Sequence, residues 1–196
     1  VTMDAMGDGL SCTTSIGNDG HLIKVNEMNG FCNPAFIYSK ITQLLGFIPL
    51  RHEGKITGLA AYGDHTKCEG SFRKLMGIKN GKFWIKNNLK ETDPILKELK
   101  TLNKEDVAAG LQFIFEEIIT DHIKIQLKIH GKNNVALAGG VFTNVKLNQK
   151  IHEIEGVNNI FIYPNMGDGG TSIGAGHAYF KTAPMKLKNM YLGNLY

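Results

Sequence analysis

Three glycine-rich turns, each placed directly after a short apolar stretch, constrain the fold of this chain more than any other feature. They read DAMGDG at 4–9, AGGVFTN at 138–144 and NMGDGGTS at 165–172. Turns of this composition permit tight backbone angles and leave the amide groups bare of side chains. Because open α/β sheets bind ligands at the carboxyl ends of their strands, the three turns are predicted to meet at one edge of a sheet.

The order of the predicted elements supports such a sheet. A three-stranded meander comes first, followed by a helix, a segment at 50–100 that we interpret as an insertion, a long helix, and two strand–helix units. Strands are predicted at 1–4, 10–16, 21–26, 82–86, 134–138 and 160–164, and helices at 35–45, 71–77, 104–130, 142–155 and 171–182. This order is the plan of an α/β domain, a ribonuclease-H-like lobe with a mixed sheet and flanking helices.

Composition excludes several classes of protein. Hydrophobic residues make up 42% and charged residues 20%, which is typical of a globular domain. The net charge of +4 is spread along the chain, so we expect no nucleic-acid partner. No apolar run approaches the ~20 residues of a membrane span, so we expect no membrane partner, and no signal peptide is evident. Cys12, Cys32 and Cys68 form no CxxC pair, which favours a reducing cytoplasm over a disulfide framework.

The first turn offers two carboxylates. Asp4 at the end of the strand and Asp8 within the turn could reach a metal ion, and the amides around Gly7 could wrap phosphate oxygens. The alternative is a plain hairpin, since Asp and Gly are common turn residues.

The second and third turns each connect a strand with a helix. Gly139 and Gly140 leave the backbone open to a flat ligand, and Asn144 could hydrogen-bond a ribose or a base. Asp168 lies between glycines, ahead of a helix whose first amides favour an anion. The alternatives are a close connection that needs glycine, and a helix cap formed by Asp168 or Thr171.

A fourth segment, HEGKITGLAAYG at 52–63, carries one charge pair ahead of an apolar run. Glu53 and Lys55 could lie over a ligand that Gly58 allows to approach closely, and the alternative is a solvated ion pair. The seven histidines form no HxxxH or HxxH pair, so they give no metal motif by themselves. Neither a GxSxG elbow nor a Walker loop is present.

Five blocks, taken in order, resemble the carbamoyltransferases of the nodulation-factor and antibiotic-tailoring type over nearly the full chain. They are VTMDAMGDG, HEGKITGLAAYG, VALAGGVFTNVKLNQKI, IFIYPNMGDGGTSIGAGHAYF and MYLGNLY. The resemblance implies an N-terminal domain similar to the threonylcarbamoyl transferases and, more distantly, to actin, sugar kinases and Hsp70, with two ribonuclease-H-like lobes around a nucleotide and metal cleft. A further domain of that family forms carbamoyl adenylate from carbamoyl phosphate and ATP. The N-terminal domain then passes the carbamoyl group to a hydroxyl of a small-molecule acceptor.

The resemblance also implies roles for individual residues. The metal is expected at Asp4 and Asp168, the phosphates at Gly7 and Asp8, the adenosine at Gly139, Gly140 and Asn144, and the adenylate or the acceptor at Glu53, Lys55 and Gly58. The metal is iron or zinc by analogy, with two further histidine ligands from outside this chain. Where the first motif of the family usually has a glycine, this chain has Ala5.

The chain begins inside a predicted strand, and the resemblance implies that it is the second lobe of the N-terminal domain. The first lobe, with the metal-binding histidines, and the adenylate-forming domain are expected elsewhere in the same polypeptide, so this chain would be inactive alone. Two other functions fit the same fold: a sugar-kinase-like phosphotransferase lobe and a non-catalytic nucleotide-binding module. A tRNA-modifying relative is disfavoured by the absence of a basic stripe.

Overall fold

The computed structural model describes residues 1–181, which form a mixed α/β domain. The strands are β1 (Thr2–Gly7), β2 (Leu10–Asn18), β3 (His21–Asn29), β4 (Met76–Lys79), β5 (Lys82–Ile85), β6 (Asn134–Leu137) and β7 (Asn159–Ile162). The helices are α1 (Pro34–Leu44), α2 (Glu53–Leu59), α3 (Glu69–Phe72), α4 (Pro94–Leu99), α5 (Lys104–His130), α6 (Val145–His152) and α7 (Gly169–Phe180). The predicted α/β class is confirmed. The MYLGNLY block at 190–196 and the last residue of the helix predicted at 171–182 lie outside the described residues.

The strands bring the two ends of the described chain together. β1, β2 and β3 form the predicted antiparallel meander, and β6 pairs with β7 in parallel. A parallel bridge between Thr2 and Ala138 joins these two sheets, with hydrogen bonds from Met3 N to Ala138 O (2.9 Å) and from Ala138 N to Val1 O (3.1 Å). The strands therefore follow one another in space as β3, β2, β1, β6 and β7, while β4 and β5 form a separate hairpin.

Helix α5 is the centre of the core and has the predicted bounds. Leu111, Ile114 and Ile119 of its apolar stripe are fully buried, and the helix packs against α1, α2, α3, α6 and β4. Gly131 ends the helix in the left-handed conformation, with φ of 60°, which glycine adopts without a steric penalty. Within residues 1–181 no helix, α5 included, is both long and apolar enough to cross a membrane.

The segment at 50–100 packs into the same core. Ile56, Phe72, Leu96 and Leu99 are fully buried, so each of its helices α2, α3 and α4 contributes an apolar side chain. The short helix predicted at 71–77 is wrong in its bounds, because α3 ends early and the chain then enters β4. Pairing of β4 with β5 overrides the local helical pattern.

The helix predicted at 142–155 is wrong at its start. The structure has a 3-10 helix at Gly140–Thr143, then Asn144 in an extended conformation (φ −76°, ψ 98°), and only then α6. The Asn144 side chain accepts a hydrogen bond from Leu147 N at 3.1 Å, so it caps α6 and separates the two helices. The apolar pattern hides this break because Phe142 and Leu147, on either side of it, are both buried.

Candidate functional site

A cleft of about 590 Å³ lies where the chain leaves the ends of β6 and β7, beside β1 and helices α1 and α2. Of the predicted site residues, Asp4, Glu53, Gly140, Asn144 and Asp168 line this cleft, whereas Gly7, Asp8, Lys55, Gly58 and Gly139 do not. The cleft thus brings predicted site residues of β1 and α2 together with predicted site residues that follow β6 and β7.

Backbone contacts of β1 hold Asp4 at the cleft. The buried side chain of Asn33 donates from Nδ2 to the carbonyl oxygens of Asp4 and Ala5, and its Oδ1 accepts from Ala35 N at 2.9 Å, which ties β1 to the start of α1. Asp4 Oδ1 accepts from Ala5 N at 2.7 Å. Ala5 does not have a positive φ, so alanine meets the backbone requirement at the position where the related family usually has glycine.

Close backbone packing accounts for the two glycines after β6. Gly139 has a φ of 105°, and a Cβ on it would lie 2.1 Å from Met3 O. Its own amide donates to Met166 O at 2.6 Å, so Gly139 joins β1, β6 and the third turn. A Cβ on Gly140 would lie 3.0 Å from Asp4 Oδ1. Gly140 therefore leaves room beside the Asp4 carboxylate.

Asp168 occupies the N-cap position of α7, but its side chain makes no capping hydrogen bond. Instead, Thr171 donates to the Asp168 carbonyl oxygen, from N at 3.1 Å and from Oγ1 at 2.6 Å. The capping alternative therefore does not account for the Asp168 carboxylate, which lines the cleft.

The predicted site residues of the fourth segment, Glu53, Lys55 and Gly58, all lie on α2, but of these three only Glu53 lines the cleft. Glu53 lines it, with Oε1 accepting from Leu50 N at 2.7 Å. Lys55 Nζ lies 3.3 Å from His52 Nε2, away from the cleft. Among the ion pairs of residues 1–181, none joins Glu53 to Lys55. A Cβ on Gly58 would meet open space, so no packing in the described part of the chain requires this glycine.

Gly7 ends β1, Asp8 lies in the turn between β1 and β2, and both residues are exposed. Asp8 and Gly9 have φ values of 52° and 77°, which are typical of a two-residue hairpin turn. The first turn therefore has the geometry of a plain hairpin within the described chain, and of its predicted site residues only Asp4, on the strand side, lines the cleft.

The sequence did not predict a polar network that lies behind the cleft. Gln112 on α5 is only 5% exposed. Its Oε1 accepts from Tyr38 Oη at 2.8 Å and from Asn144 Nδ2 at 3.0 Å, and its Nε2 donates to Asn144 Oδ1 at 3.1 Å and to Glu116 Oε1 at 2.7 Å. Tyr38 Oη also lies 2.9 Å from Thr57 Oγ1. In the sequence, a glutamine inside the apolar stripe of the longest helix indicates such a network, because a buried amide needs hydrogen-bond partners.

All charged side chains that line the cleft are acidic. They belong to Asp4, Glu53 and Asp168, and no Lys or Arg of residues 1–181 is among the lining residues. An anionic ligand is therefore disfavoured here unless a cation accompanies it. Carboxylate oxygens suit divalent cations, so Asp4 and Asp168 could supply part of a metal site. The described part of the chain contains no group of three or more His, Cys, Asp or Glu side chains arranged to hold a metal ion.

The fold and the cleft define a mixed α/β domain with an acidic site at the ends of its strands. The chain belongs to the family described as carbamoyltransferase N-terminus, whose model matches residues 1–177. The resemblance found in the sequence blocks is thereby confirmed.

Individual relatives agree with this assignment. The uncharacterized protein MJ1051 of Methanocaldococcus jannaschii is 31% identical over 98% of this chain and 39% of its own length. Nodulation protein NolNO of Sinorhizobium fredii is 26% identical over 89% of this chain and 27% of its own length. Nodulation protein NolO of Bradyrhizobium diazoefficiens is 27% identical over 88% of this chain and 33% of its own length. The chain therefore spans about a quarter to two fifths of the length of these curated relatives.

Proposed function

We propose that the chain is one lobe of an ATP-dependent O-carbamoyltransferase, which moves a carbamoyl group from carbamoyl adenylate to a hydroxyl of a small-molecule acceptor. Family membership supports carbamoyl transfer in general. The observation that carries the proposal is that Asp4 and Asp168, near opposite ends of the described chain, line one cleft together with Gly140 and Asn144. In this proposal the first lobe and the adenylate-forming domain belong to the same cytoplasmic polypeptide, and the isolated chain does not turn over.

The proposal includes a ribonuclease-H-like fold for the lobe. The spatial order of the strands supports it, because β1, an edge strand of the antiparallel meander, joins the meander to a parallel pair that is connected through helix α6. The cleft lies beyond the carboxyl ends of β6 and β7, where ligands of open α/β sheets bind.

In the proposed reaction, the hydroxyl oxygen of the acceptor forms a bond with the carbamoyl carbon. The bond between that carbon and the phosphate oxygen breaks, AMP leaves with the electron pair, and the hydroxyl proton passes to water. Negative charge remains on the phosphate that leaves, so groups that stabilise this charge accelerate the step. A divalent metal, when bound, would polarise the carbamoyl carbonyl as a Lewis acid.

The residues of this chain have distinct parts in the proposal. Asp4 and Asp168 would hold the metal, iron or zinc, together with histidines of the first lobe. This fits the donor chemistry, because Asp168 is not engaged as a cap and Asp4 has one carboxylate oxygen, Oδ2, without a hydrogen-bond partner in residues 1–181. Gly140 leaves room for a ligand beside Asp4, Asn144 would contact the adenylate, and Glu53 faces the same space from α2.

The test uses the complete polypeptide that carries this chain. Carbamoyl phosphate labelled in the carbamoyl carbon, ATP and a divalent cation are supplied with a panel of sugars and amino sugars, and label in the acceptor is counted. Asp168→Asn removes a proposed metal ligand. Asp19→Asn is the matched control, because Asp19 lies in the exposed turn between β2 and β3, where asparagine tolerates the φ of 48°.

Wild type and Asp19→Asn are expected to transfer label to at least one acceptor. Asp168→Asn is expected to lower the rate of carbamoyl transfer by at least roughly 10–100-fold. A loss of that size follows when a residue that only hydrogen-bonds a metal ligand is removed, and removal of a ligand itself is expected to cost no less. Transfer of the γ-phosphate of ATP in place of the carbamoyl group would show a kinase. ATP binding that Asp168→Asn leaves unchanged, with no transfer by any variant, would show a binding module and overturn the proposal.

A further inference from the structure

Two hydrogen-bond anchors determine which way the amides of Gln112 and Asn144 point. Asn144 Oδ1 accepts from Leu147 N at 3.1 Å, and a backbone N–H can only donate. Glu116 Oε1 accepts from Gln112 Nε2 at 2.7 Å, which assigns the nitrogen of the Gln112 amide to the side facing Glu116. Both anchors require the same arrangement, in which Gln112 Nε2 faces Asn144 Oδ1 and Asn144 Nδ2 faces Gln112 Oε1.

Tyr38 completes the set of partners of Gln112. Burial raises the pKa of Tyr38, so its hydroxyl keeps its proton at neutral pH and donates to Gln112 Oε1 at 2.8 Å. Gln112 Oε1 then has two donors and Nε2 has two acceptors, which is the full hydrogen-bonding capacity of the amide. A buried amide satisfied in this way is held in one orientation, since turning it would leave all four partners mismatched.

Asn144, in contrast, has one N–H to spare. Its Nδ2 carries two hydrogens, and within residues 1–181 only the one directed to Gln112 Oε1 has a partner. The oxygen of the same amide already accepts from Leu147 N and from Gln112 Nε2. Because Asn144 lines the cleft and is only half-buried, the group that it can offer to a ligand is the spare N–H.

We propose that Gln112 is a positioning residue that fixes Asn144 as a hydrogen-bond donor toward the cleft, so that the ligand atom meeting Asn144 is an acceptor oxygen or nitrogen. Tyr38 and Thr57 extend the same network to α2 on the other side of the cleft. This inference rests on the proposed function for the presence of a ligand in the cleft. The orientation of the Asn144 amide does not depend on that function.

The first experiment measures the ligand-free chain. Exchange with water of the two Nδ2 hydrogens of Asn144 is followed by NMR in wild type and in Gln112→Met. Wild type is expected to show one protected and one rapidly exchanging hydrogen, and Gln112→Met is expected to lose the protection. Gln126→Met is the matched control, because Gln126 is a second buried glutamine on α5 and lines a different cavity. Equal exchange of both hydrogens in wild type would overturn the proposal, even if Gln112→Met does not fold.

The second experiment is a double-mutant cycle on the dissociation constant of ATP with Mn²⁺, measured by calorimetry. Asn144→Asp keeps an oxygen that can cap α6 but removes the N–H donor. Gln112→Met is expected to weaken ATP binding about tenfold, equivalent to about 1.4 kcal/mol, in the wild-type background and not at all in Asn144→Asp. A role in packing alone would weaken binding equally in both backgrounds.

A further variant, Glu116→Leu, removes one anchor at a half-buried position where folding is less at risk. Glu116→Leu is expected to weaken ATP binding when residue 144 is asparagine and to leave it unchanged in Asn144→Asp. Equal weakening in both backgrounds would contradict the proposal. If wild type shows the unequal Nδ2 hydrogens but does not bind ATP, the positioning role stands and nucleotide binding by this chain is refuted. The two proposals are thereby tested separately.

Discussion

Replacement of Gly139 by alanine tests how tightly the site depends on the junction of β1 with β6. The new Cβ would lie 2.1 Å from Met3 O and 2.6 Å from Met3 C, and the φ of 105° is strained for any residue with a side chain. To relieve the clash, β1 must move from Ala138, which breaks the hydrogen bonds from Met3 N to Ala138 O and from Ala138 N to Val1 O. Each of these bonds contributes about 1 kcal/mol and the backbone strain about 1–3 kcal/mol. We therefore expect Gly139→Ala to lower the free energy of unfolding by about 3–5 kcal/mol.

The assay is urea unfolding followed by circular dichroism, with linear extrapolation to water. Gly131→Ala is the matched control: this glycine also has a positive φ, of 60°, but a Cβ there would meet no atom within 4 Å. Left-handed backbone alone costs about 1–2 kcal/mol. If Gly139→Ala lowers the free energy of unfolding no more than Gly131→Ala does, the reasoning is refuted. Such a result would show that β1 and β6 can move apart without a loss of stability.

Two further predictions concern pH and backbone strain. Burial lowers the pKa of His122, whose Nδ1 lies 3.2 Å from Gly81 O. Since the folded pKa lies below the unfolded value of about 6.5, the unfolded state binds more protons, and the free energy of unfolding is expected to fall as the pH drops below about 6.5. Urea unfolding at pH 7.5 and at pH 5.5 gives the decrease in the free energy of unfolding between these two values. The decrease should be smaller for His122→Gln than for wild type, and an equal decrease would contradict this prediction. Leu50 has a φ of 61° and is 76% exposed. Asparagine adopts this left-handed backbone more readily than leucine, so Leu50→Asn should raise the free energy of unfolding by up to about 1 kcal/mol in the same assay. A decrease would show that the leucine side chain stabilises the fold.

Local signals made much of the fold predictable from the sequence. Helix α5 has the predicted bounds because its apolar stripe is long and Gly131 stops it. Helix α1 was predicted at 35–45 and begins at Pro34, where Asn33 caps the first turn. In both cases the residues that set the ends lie within a turn of the helix they end.

The rest depended on strand pairing, capping and burial that the local residue pattern does not reveal. The residues at 71–77 have a helical pattern, but pairing of β4 with β5 ends the helix early. The break at Asn144 is visible only once the hydrogen bond by which Asn144 caps α6 is known. No element was predicted at 53–62, where α2 and a 3-10 helix form, because glycine is a poor helix former. Burial of Ile56 against the core compensates for that cost.

The sequence predicted part of the candidate site. Asp4 lies within β1, whereas Gly140 and Asp168 follow β6 and β7, and the joined sheets bring all three residues to one cleft. The turn with Gly7 and Asp8 carried the same composition but faces solvent, since Asp and Gly mark a hairpin whether or not a ligand is near. The role of Gln112 required the fold, because its partners come from α1, from the N-cap of α6 and from its own helix.

We propose that Asp4 and Asp168 together hold a divalent cation in the cleft. The most direct test adds substoichiometric Mn²⁺ to the ¹⁵N-labelled chain and records the paramagnetic broadening of each backbone amide signal. We predict that the signals of Asp4, Gly140 and Gly169 broaden first in wild type and in Asp19→Asn, and that Asp4→Asn or Asp168→Asn removes this broadening. Broadening that begins at other carboxylates, or that persists at the cleft in both cleft variants, would contradict the claim.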